Sequence, residues 1–243
     1  MNLTIDIGNT KTKVAVVDDY KVIRRFTWKR VTENRLEELL EDYVVDKAIL
    51  STVAGVPEIL EQWFEKLPFA MVLDHHTPVP FVNTYKTPET LGRDRLAAVA
   101  GAFHLYPESN CLVIDAGTCI THDLILENGE YLGGAISPGI KLRFKAMNQF
   151  TASLPKVNRQ RLETDIGYNT ESSMRIGAQL GAVLEVQGFI DQYTDQFKTL
   201  TVLFTGGDTE YFVSQLKSKI FAHPNLVHIG LNKILEYNAH AHQ

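Results

Sequence analysis

The sequence predicts an α/β protein in which one folding unit, a mixed sheet with flanking helices, occurs twice. A chain of 243 residues is long enough for two domains that each bury a core. Short runs rich in β-branched residues alternate with longer runs of helical periodicity, which is typical of α/β folds. The stretch LTIDIGNT at residues 3–10 also resembles LVIDAGT at residues 112–118, which indicates an internal duplication of about half the chain.

The first half contains the signals of a three-stranded start followed by helices and further strands. Five runs predict strands, at residues 3–6, 12–17, 21–28, 48–52 and 70–73. Leu36, Leu39 and Tyr43 recur on one helical face, and Pro57 is expected at the first position of a second helix. A third helix is predicted at 95–104.

The second half repeats this order. Strands are predicted at residues 112–115, 120–126, 131–136, 201–204 and 226–229, and helices at 140–149, 171–197, 209–219 and the C-terminal end. We place the boundary near Asn110, with one lobe at 1–110 and the other at 111–243. Because ligands favour the interfaces between such lobes, we expect a binding cleft between the two equivalent hairpins.

Composition and charge exclude several functional classes. The net charge of -5 and the scattered basic residues argue against nucleic-acid binding, which needs clustered Lys and Arg. No apolar run approaches a membrane span, and the first residues lack the pattern of a secretory signal, so we expect a cytoplasmic protein. Cys111 and Cys119 are expected to be reduced thiols.

The first hairpin, residues 6–13, has the chemistry of a phosphate-binding turn. Gly8 bares backbone N–H groups, Asn9 and Thr10 add donors, and Lys13 adds a positive charge. Asp6 would repel phosphate unless a cation lay between them, which implies Mg²⁺. An ordinary surface hairpin favours the same residue types, and for this motif in isolation it is the better interpretation.

Two later motifs change that balance. Asp115, Gly117 and Thr118 form a second hairpin that could hold a triphosphate from the other side. At 204–208 a strand ends in two glycines before a helix, which permits close approach to a nucleoside. Taken singly, this last motif is equally well an ordinary connection with Asp208 as N-cap. Three such motifs in order, within a duplicated chain, favour a nucleotide site.

The segment between the hairpins, residues 85–98, contains a candidate catalytic group. Asp94 could orient an attacking hydroxyl and accept its proton, and Arg95 could anchor the substrate. Alternatively, Asp94 is only the N-cap of the Ala-rich helix that follows, and the residues alone slightly favour this second interpretation.

Taken together, these motifs resemble the actin-like ATPase and sugar-kinase superfamily, whose two domains are duplicated ribonuclease H-like units. Over nearly the whole chain they resemble the type III pantothenate kinases. The matching segments are residues 6–13, 92–95, 115–118, 133–139, 151–155, 205–208 and 230–231. Cys119 and His122 depart from residues common in that family, close to the expected cation site.

The resemblance implies phosphorylation of pantothenate by ATP, the first step of coenzyme A biosynthesis, with Asp94 as the base. It assigns ATP to Asp6, Ile7, Gly8, Asn9, Thr10, Lys11, Thr12, Lys13, Thr118, Gly206 and Gly207. It assigns pantothenate to Tyr85, Gly92, Arg93, Asp94, Arg95 and Thr170. Asp6 would act indirectly on Mg²⁺, and Asp115 would bind K⁺ or NH₄⁺.

The resemblance also implies a homodimer in which Thr170 reaches the neighbouring subunit's site. Gly177 and Gly181 allow close helix packing, either within a lobe or between subunits, and the residues do not decide between these. Two other functions stay open: a kinase of another small alcohol, and an ATP-binding regulator without catalysis. Asp6, Asp94 and Asp115 are all present, so nothing indicates that catalysis has been lost.

Overall fold

Two mixed β-sheets flanked by helices make up the computed structural model, which describes residues 1–197 and 199–241. The strands are β1 Asn2–Ile7, β2 Thr12–Asp18, β3 Lys21–Trp28, β4 Lys47–Thr52, β5 Phe69–Val72, β6 Val82–Asn83, β7 Cys111–Ala116, β8 Cys119–Ile125, β9 Glu130–Pro138, β10 Thr201–Thr205 and β11 Phe221–Ala222. The helices are α1 Glu33–Asp42, α2 Glu58–Phe64, α3 Arg93–Leu105, α4 Ile140–Gln149, α5 Thr170–Arg175, α6 Gly181–Gln196, α7 Thr209–Val213 and α8 Leu226–Ala241. The predicted fold class is confirmed.

The chain divides by its contacts into two units. The first contains residues 1–108, 125–132 and the chain from Asn225 onward; the second contains residues 109–124 and 133–224. The change at 108/109 lies close to the boundary expected from the sequence, whereas the last helix, expected in the second lobe, packs in the first unit. The reason is that α8 lies against α3 and against strands β1 and β4.

The first unit is built on a sheet with strand order β3-β2-β1-β4-β5. β1 runs antiparallel to β2 and parallel to β4. Both edges of this central strand are therefore paired with a neighbouring strand. Alternating residues of β1 and β2 enter the core, together with one face each of α1 and α2. The buried apolar residues include Leu3, Ile5, Val14, Val16, Leu36, Leu39, Leu60 and Trp63. Burial of such side chains is the main stabilising contribution to this unit.

The second sheet has strand order β11-β10-β7-β8-β9-β6. β10 runs parallel to β7, and β6 pairs with the first two residues of β9, which belong to the first unit. The long helix predicted at 171–197 is observed as α5 and α6, joined by one π-helical turn at Ile176–Leu180. π turns inside helices often occur at functional sites. Among the described residues, no helix has the length and apolarity that crossing a membrane requires.

Three predicted elements differ from the structure. The strand expected at 226–229 is the first turn of α8, because its apolar residues pack on α3, and short apolar runs do not distinguish the two states. The helix expected to reach residue 219 ends at Val213. There Gln187 binds the N–H of Lys217 at 3.1 Å and the Ser218 hydroxyl at 2.7 Å, which holds that segment off the helical path. Pro57 is the N-cap of α2 and not its first helical residue.

His228 ties α8 to the first sheet. Its side chain is buried, and Nδ1 lies 2.8 Å from the Thr4 hydroxyl, which itself donates to the carbonyl of Ala15. The ring therefore donates to Thr4 in its neutral form. Burial, with smaller contributions from Lys13 and Arg25, lowers the pKa of His228 to about 3.

We predict that His228 makes the fold acid-sensitive. The unfolded chain takes up a proton on this residue below about pH 6.5, whereas the folded chain resists it until about pH 3, so stability falls as pH decreases between these values. His228→Gln should unfold at lower urea concentration at pH 7 but lose less stability between about pH 6.5 and 4.5. Urea titrations across this range measure both effects. The exposed His240→Gln is the control, and an unchanged pH slope in His228→Gln would contradict the prediction.

Candidate active site

The first hairpin places Asp6 where three strands meet. Asp6 is level with Lys13 on β2 and with Ser51 on β4, and the Ser51 hydroxyl donates to its Oδ1 at 3.1 Å. The turn closes with the N–H of Gly8 donating to the carbonyl of Lys11 at 3.1 Å. Ser51 was missed by the sequence analysis, although a hydroxyl at a strand end beside a predicted turn is a signal that could have found it.

Asp6 lies in an unusual electrostatic environment. It is only 7% exposed, and burial raises its pKa; the nearby Asp94 carboxylate raises it further, against the opposing effects of Lys13 and Ser51. The net result is a pKa above the ordinary value. The carboxylates of Asp6 and Asp94, both in the first unit, are therefore close enough to repel each other. A bound cation would reduce this repulsion.

The other predicted residues of the first hairpin differ in accessibility. Asn9, Thr10 and Lys11 are exposed, and Ile7 is half-buried. Thr12 is only 2% exposed and is level with Trp28 of β3. Its side chain is therefore part of the interior of the sheet.

Asp94 lies in the first turn of α3 and is not its N-cap. The cap position belongs to Gly92, and Oδ1 of Asp94 accepts the N–H of Arg95 at 2.9 Å. A Cβ on Gly92 would stand 2.6 Å from that oxygen, so glycine leaves room for the carboxylate. The N-cap interpretation of Asp94 is thus wrong.

The remaining predicted substrate residues of the first unit surround this turn. Arg95 is 5% exposed, and its guanidinium lies 5.5 Å from the centre of the Tyr85 ring, a cation–π contact. The Tyr85 ring also stacks with the Tyr131 ring, and their centres are 6.3 Å apart. Arg93 donates to the carbonyl of Thr52, the residue after Ser51 on β4, at 3.0 Å. The structure therefore brings Tyr85, Asp94 and Arg95 together, beside Asp6.

The second hairpin, residues 115–118, lies in the second unit. Asp115 is the penultimate residue of β7 and pairs with Thr205 on β10. Gly117 donates its N–H to the carbonyl of Cys119 at 2.8 Å. Thr118 is exposed, and its carbonyl accepts the N–H of Gly139 at 3.0 Å. Thr170, the first residue of α5, is also exposed in this unit.

The two hairpin glycines are not required by the protein's own packing. Neither has a positive φ. A Cβ on Gly8 would meet only the Lys11 carbonyl at 3.6 Å, an ordinary contact, and one on Gly117 would be 4.0 Å from Asp115. Glycine therefore leaves open space at both turns, which suits close approach of a ligand to the backbone N–H groups.

Gly206 and Gly207 have different roles. Gly206 has φ +97°, and a Cβ there would collide with the Asp115 carboxylate and the Ala116 carbonyl. That carbonyl accepts the N–H of Asp208 at 3.0 Å, which closes the connection to α7. Gly207 has nothing within 4 Å of a Cβ and is exposed. Gly206 is thus needed for the fold, whereas Gly207 offers open backbone.

Asp208 occupies the N-cap position of α7 without making a side-chain cap bond. Its carboxylate instead pairs with Arg159 at 2.8 Å, and that guanidinium lies 5.2 Å from the centre of the Tyr211 ring. Arg159 and Tyr211 were missed, because Arg159 lies in a segment without regular structure that carries no local signal.

We predict that alanine at these two glycines has unequal effects on stability. Gly206→Ala should cost about 2–4 kcal/mol, because it combines a disfavoured φ with overlap of backbone atoms. Gly207→Ala should change stability by less than about 0.5 kcal/mol. Thermal or urea unfolding of both variants measures the two changes in stability. Equal destabilisation would contradict the prediction that only Gly206 is needed for the fold.

Solved structures share this fold. A protein from Campylobacter jejuni assigned to the Baf family of transcriptional activators superimposes with a TM-score of 0.61 at 24% identity, covering 98% of this chain and 99% of that one. The activator of 2-hydroxyisocaproyl-CoA dehydratase from Clostridium difficile, with bound ADPNP, gives a TM-score of 0.52 at 10% identity, covering 99% and 97%. At these identities the similarity establishes the fold alone.

Sequence comparison is more specific. A sequence model of the type III pantothenate kinase family matches residues 2–192. The type III pantothenate kinase of Bacteroides fragilis is 44% identical over 239 residues, covering 98% of both chains. That of Christiangramia forsetii is 45% identical over 241 residues, covering 98% of this chain and 99% of the relative. The chain therefore belongs to the type III pantothenate kinase family.

Proposed function

We propose that this protein transfers the γ-phosphoryl group of ATP to pantothenate and forms 4'-phosphopantothenate, the first step of coenzyme A biosynthesis. The observation that carries the proposal is the position of Asp94. It lies in the first turn of α3, beside Arg95 and Tyr85, in a chain whose full-length relatives are named pantothenate kinases. We also propose that the protein acts in the cytoplasm, where ATP is available.

Asp94 orients the pantothenate hydroxyl and accepts its proton. The hydroxyl oxygen forms a bond to the γ-phosphorus, while the bond from that phosphorus to the β,γ-bridging oxygen breaks and ADP leaves with the electron pair. Arg95 supplies a positive charge for the carboxylate of pantothenate, and Tyr85 holds the guanidinium in place. Gly92 leaves the space that the Asp94 carboxylate needs.

The two hairpins and Gly207 are the proposed ATP contacts. The open backbone at Gly8 and Gly117 suits phosphate oxygens, and Lys13 and Thr118 add a charge and a hydroxyl. Asn9, Thr10 and Lys11 are exposed around the first turn. The buried Thr12 is proposed to support this turn through the sheet.

Two cations are proposed, and the residues fit both. The Asp6 carboxylate supplies negative charge that suits Mg²⁺, and its burial suits contact through water. The Asp115 carboxylate offers the oxygen ligand that K⁺ or NH₄⁺ would take. Bound Mg²⁺ would neutralise charge on the phosphates during transfer.

We also propose a homodimer formed through the α5–α6 helix. A Cβ on Gly177, Gly181 or Gly188 would meet nothing within 4 Å, and Leu184 on the same face is 62% exposed. The glycines therefore do not serve packing within the unit, which favours the subunit interpretation of the sequence. Thr170, exposed at the start of this helix, is proposed to reach the partner's pantothenate site.

We predict that Asp94→Asn lowers kcat by about a hundredfold or more, because it removes the proton acceptor but keeps the shape. ATP affinity and thermal stability should stay near those of the parent, and Asp42→Asn, an exposed aspartate on α1, is the control. Turnover of Asp94→Asn within a few-fold of the parent would disprove its role.

The same assay tests the substrate and the cation. ATP consumption is measured with pantothenate and with a panel of small alcohols and sugars, in tetramethylammonium buffer to which K⁺ or NH₄⁺ is added. If another alcohol is phosphorylated faster than pantothenate, pantothenate is not the substrate. If the protein binds ATP but turns over none of these compounds, the ATP-binding regulator is favoured. Full activity without K⁺ or NH₄⁺ would remove the role of Asp115.

We predict that two inactive variants restore activity when mixed. If Thr170 completes the partner's site, a mixed dimer of Asp94→Asn and Thr170→Arg has one site with both changes and one with neither. About half of the sites in mixed dimers should then be active after dissociation and reassociation. Thr199→Arg, an exposed threonine of the same unit, should be active alone. Mixed dimers that form but stay inactive would place the whole site within one chain.

A further inference from the structure

The segment of residues 137–139 lies directly against the second hairpin. The N–H of Gly139 donates to the carbonyl of Thr118 at 3.0 Å. A Cβ on Gly139 would stand 2.6 Å from that same carbonyl oxygen and would collide with the carbonyl of Gly117. Only glycine permits this close approach. The position of the 137–139 segment therefore determines the position of the second hairpin's backbone.

Arg143 holds this segment from its other side. It lies one turn into α4, and its Nε donates to the carbonyl of Pro138 at 2.8 Å. Its Nη2 forms an ion pair of 2.7 Å with the Glu185 carboxylate on α6. The planar guanidinium makes both bonds at once in fixed directions, which the single ammonium of a lysine would not reproduce. Arg143 therefore fastens the 137–139 segment to α6.

The surroundings of Glu185 keep this ion pair charged. Burial opposes ionisation of Glu185, but the neighbouring Ser137 hydroxyl and the Arg143 guanidinium outweigh it, and its pKa lies below the ordinary value. His122 also faces this region, with its ring 4.4 Å from that of Phe189, one helical turn beyond Glu185. Burial lowers the pKa of His122 to about 4, so it is neutral near pH 7 and does not compete with Arg143 for the carboxylate.

We propose that Arg143 and Glu185 are positioning residues for the second hairpin and set its affinity for ATP. The inference rests on the proposed function in one respect, that this hairpin binds ATP. A continuous series of contacts runs from Glu185 through Arg143, Pro138 and Gly139 to Thr118. Glu185 also follows Leu184, which is exposed on the helix face proposed for the dimer, so the pair connects that helix to the ATP site.

The test compares Arg143→Gln, Glu185→Gln and the double variant. Each single change should raise KM for ATP by on the order of tenfold, with kcat and KM for pantothenate changed much less. The double variant should be no worse than the singles, because all three break the same series of contacts. Lys47→Gln is the matched control: it breaks an ion pair with Glu236 that has the same 2.7 Å length and similar burial but lies in the first unit. It should leave KM for ATP unchanged.

Two further measurements separate this inference from the proposed function. ATP affinity is measured by calorimetry without pantothenate, and amide exchange is followed at Gly139. Both glutamine variants should bind ATP more weakly and exchange the Gly139 amide faster than Lys47→Gln, whichever alcohol the parent phosphorylates. Normal ATP affinity in both variants would overturn the inference. If only Arg143→Gln binds ATP more weakly, the effect comes from the bond between Arg143 and Pro138. That result would overturn the role of the Arg143–Glu185 ion pair.

Discussion

The close packing of α3 against α8 is the constraint on which the first unit's chemistry depends. A Cβ on Gly230 would lie 2.7 Å from the backbone N of Gly101, so the two helices touch through their backbones. α8 is in turn fastened to the sheet, where the Asn2 amide donates to Asn232 and Glu236 at 2.7 and 2.6 Å. The C-terminal helix thereby fixes α3, whose first turn carries Asp94, relative to the strand that carries Asp6.

The duplication extends beyond the hairpin sequences to the strand beside them. In each copy the aspartate is the penultimate residue of a strand and pairs with a hydroxyl residue on the parallel neighbour, Ser51 for Asp6 and Thr205 for Asp115. The two environments have nevertheless diverged. Asp6 is buried beside a second carboxylate, whereas Asp115 is half-buried. This difference supports separate proposed roles, one toward Mg²⁺ and the phosphates and the other toward a monovalent cation.

Glycine serves two distinct purposes in the two hairpins and in the segments that pack against the second one. At Gly139 and Gly206 the space for a side chain is already filled by neighbouring backbone, so these residues support the fold of the second hairpin. At Gly8, Gly117 and Gly207 the space is open, so glycine there leaves room for a ligand. The sequence shows the same letter in all five places, and only the surrounding atoms separate the two classes.

The sequence by itself determined the features that depend on neighbouring residues. The hairpins, most strand positions and the helices at 140–149 and 171–197 follow from turn residues and apolar periodicity, and the ordered motifs were enough to identify the family. The tertiary structure decided what depends on residues distant in the chain. It placed α8 in the first unit, made residues 226–229 helical, buried Thr12 and brought Arg143 to Glu185. These outcomes depend on packing between remote segments, and the free energy of such contacts is not encoded in any local pattern.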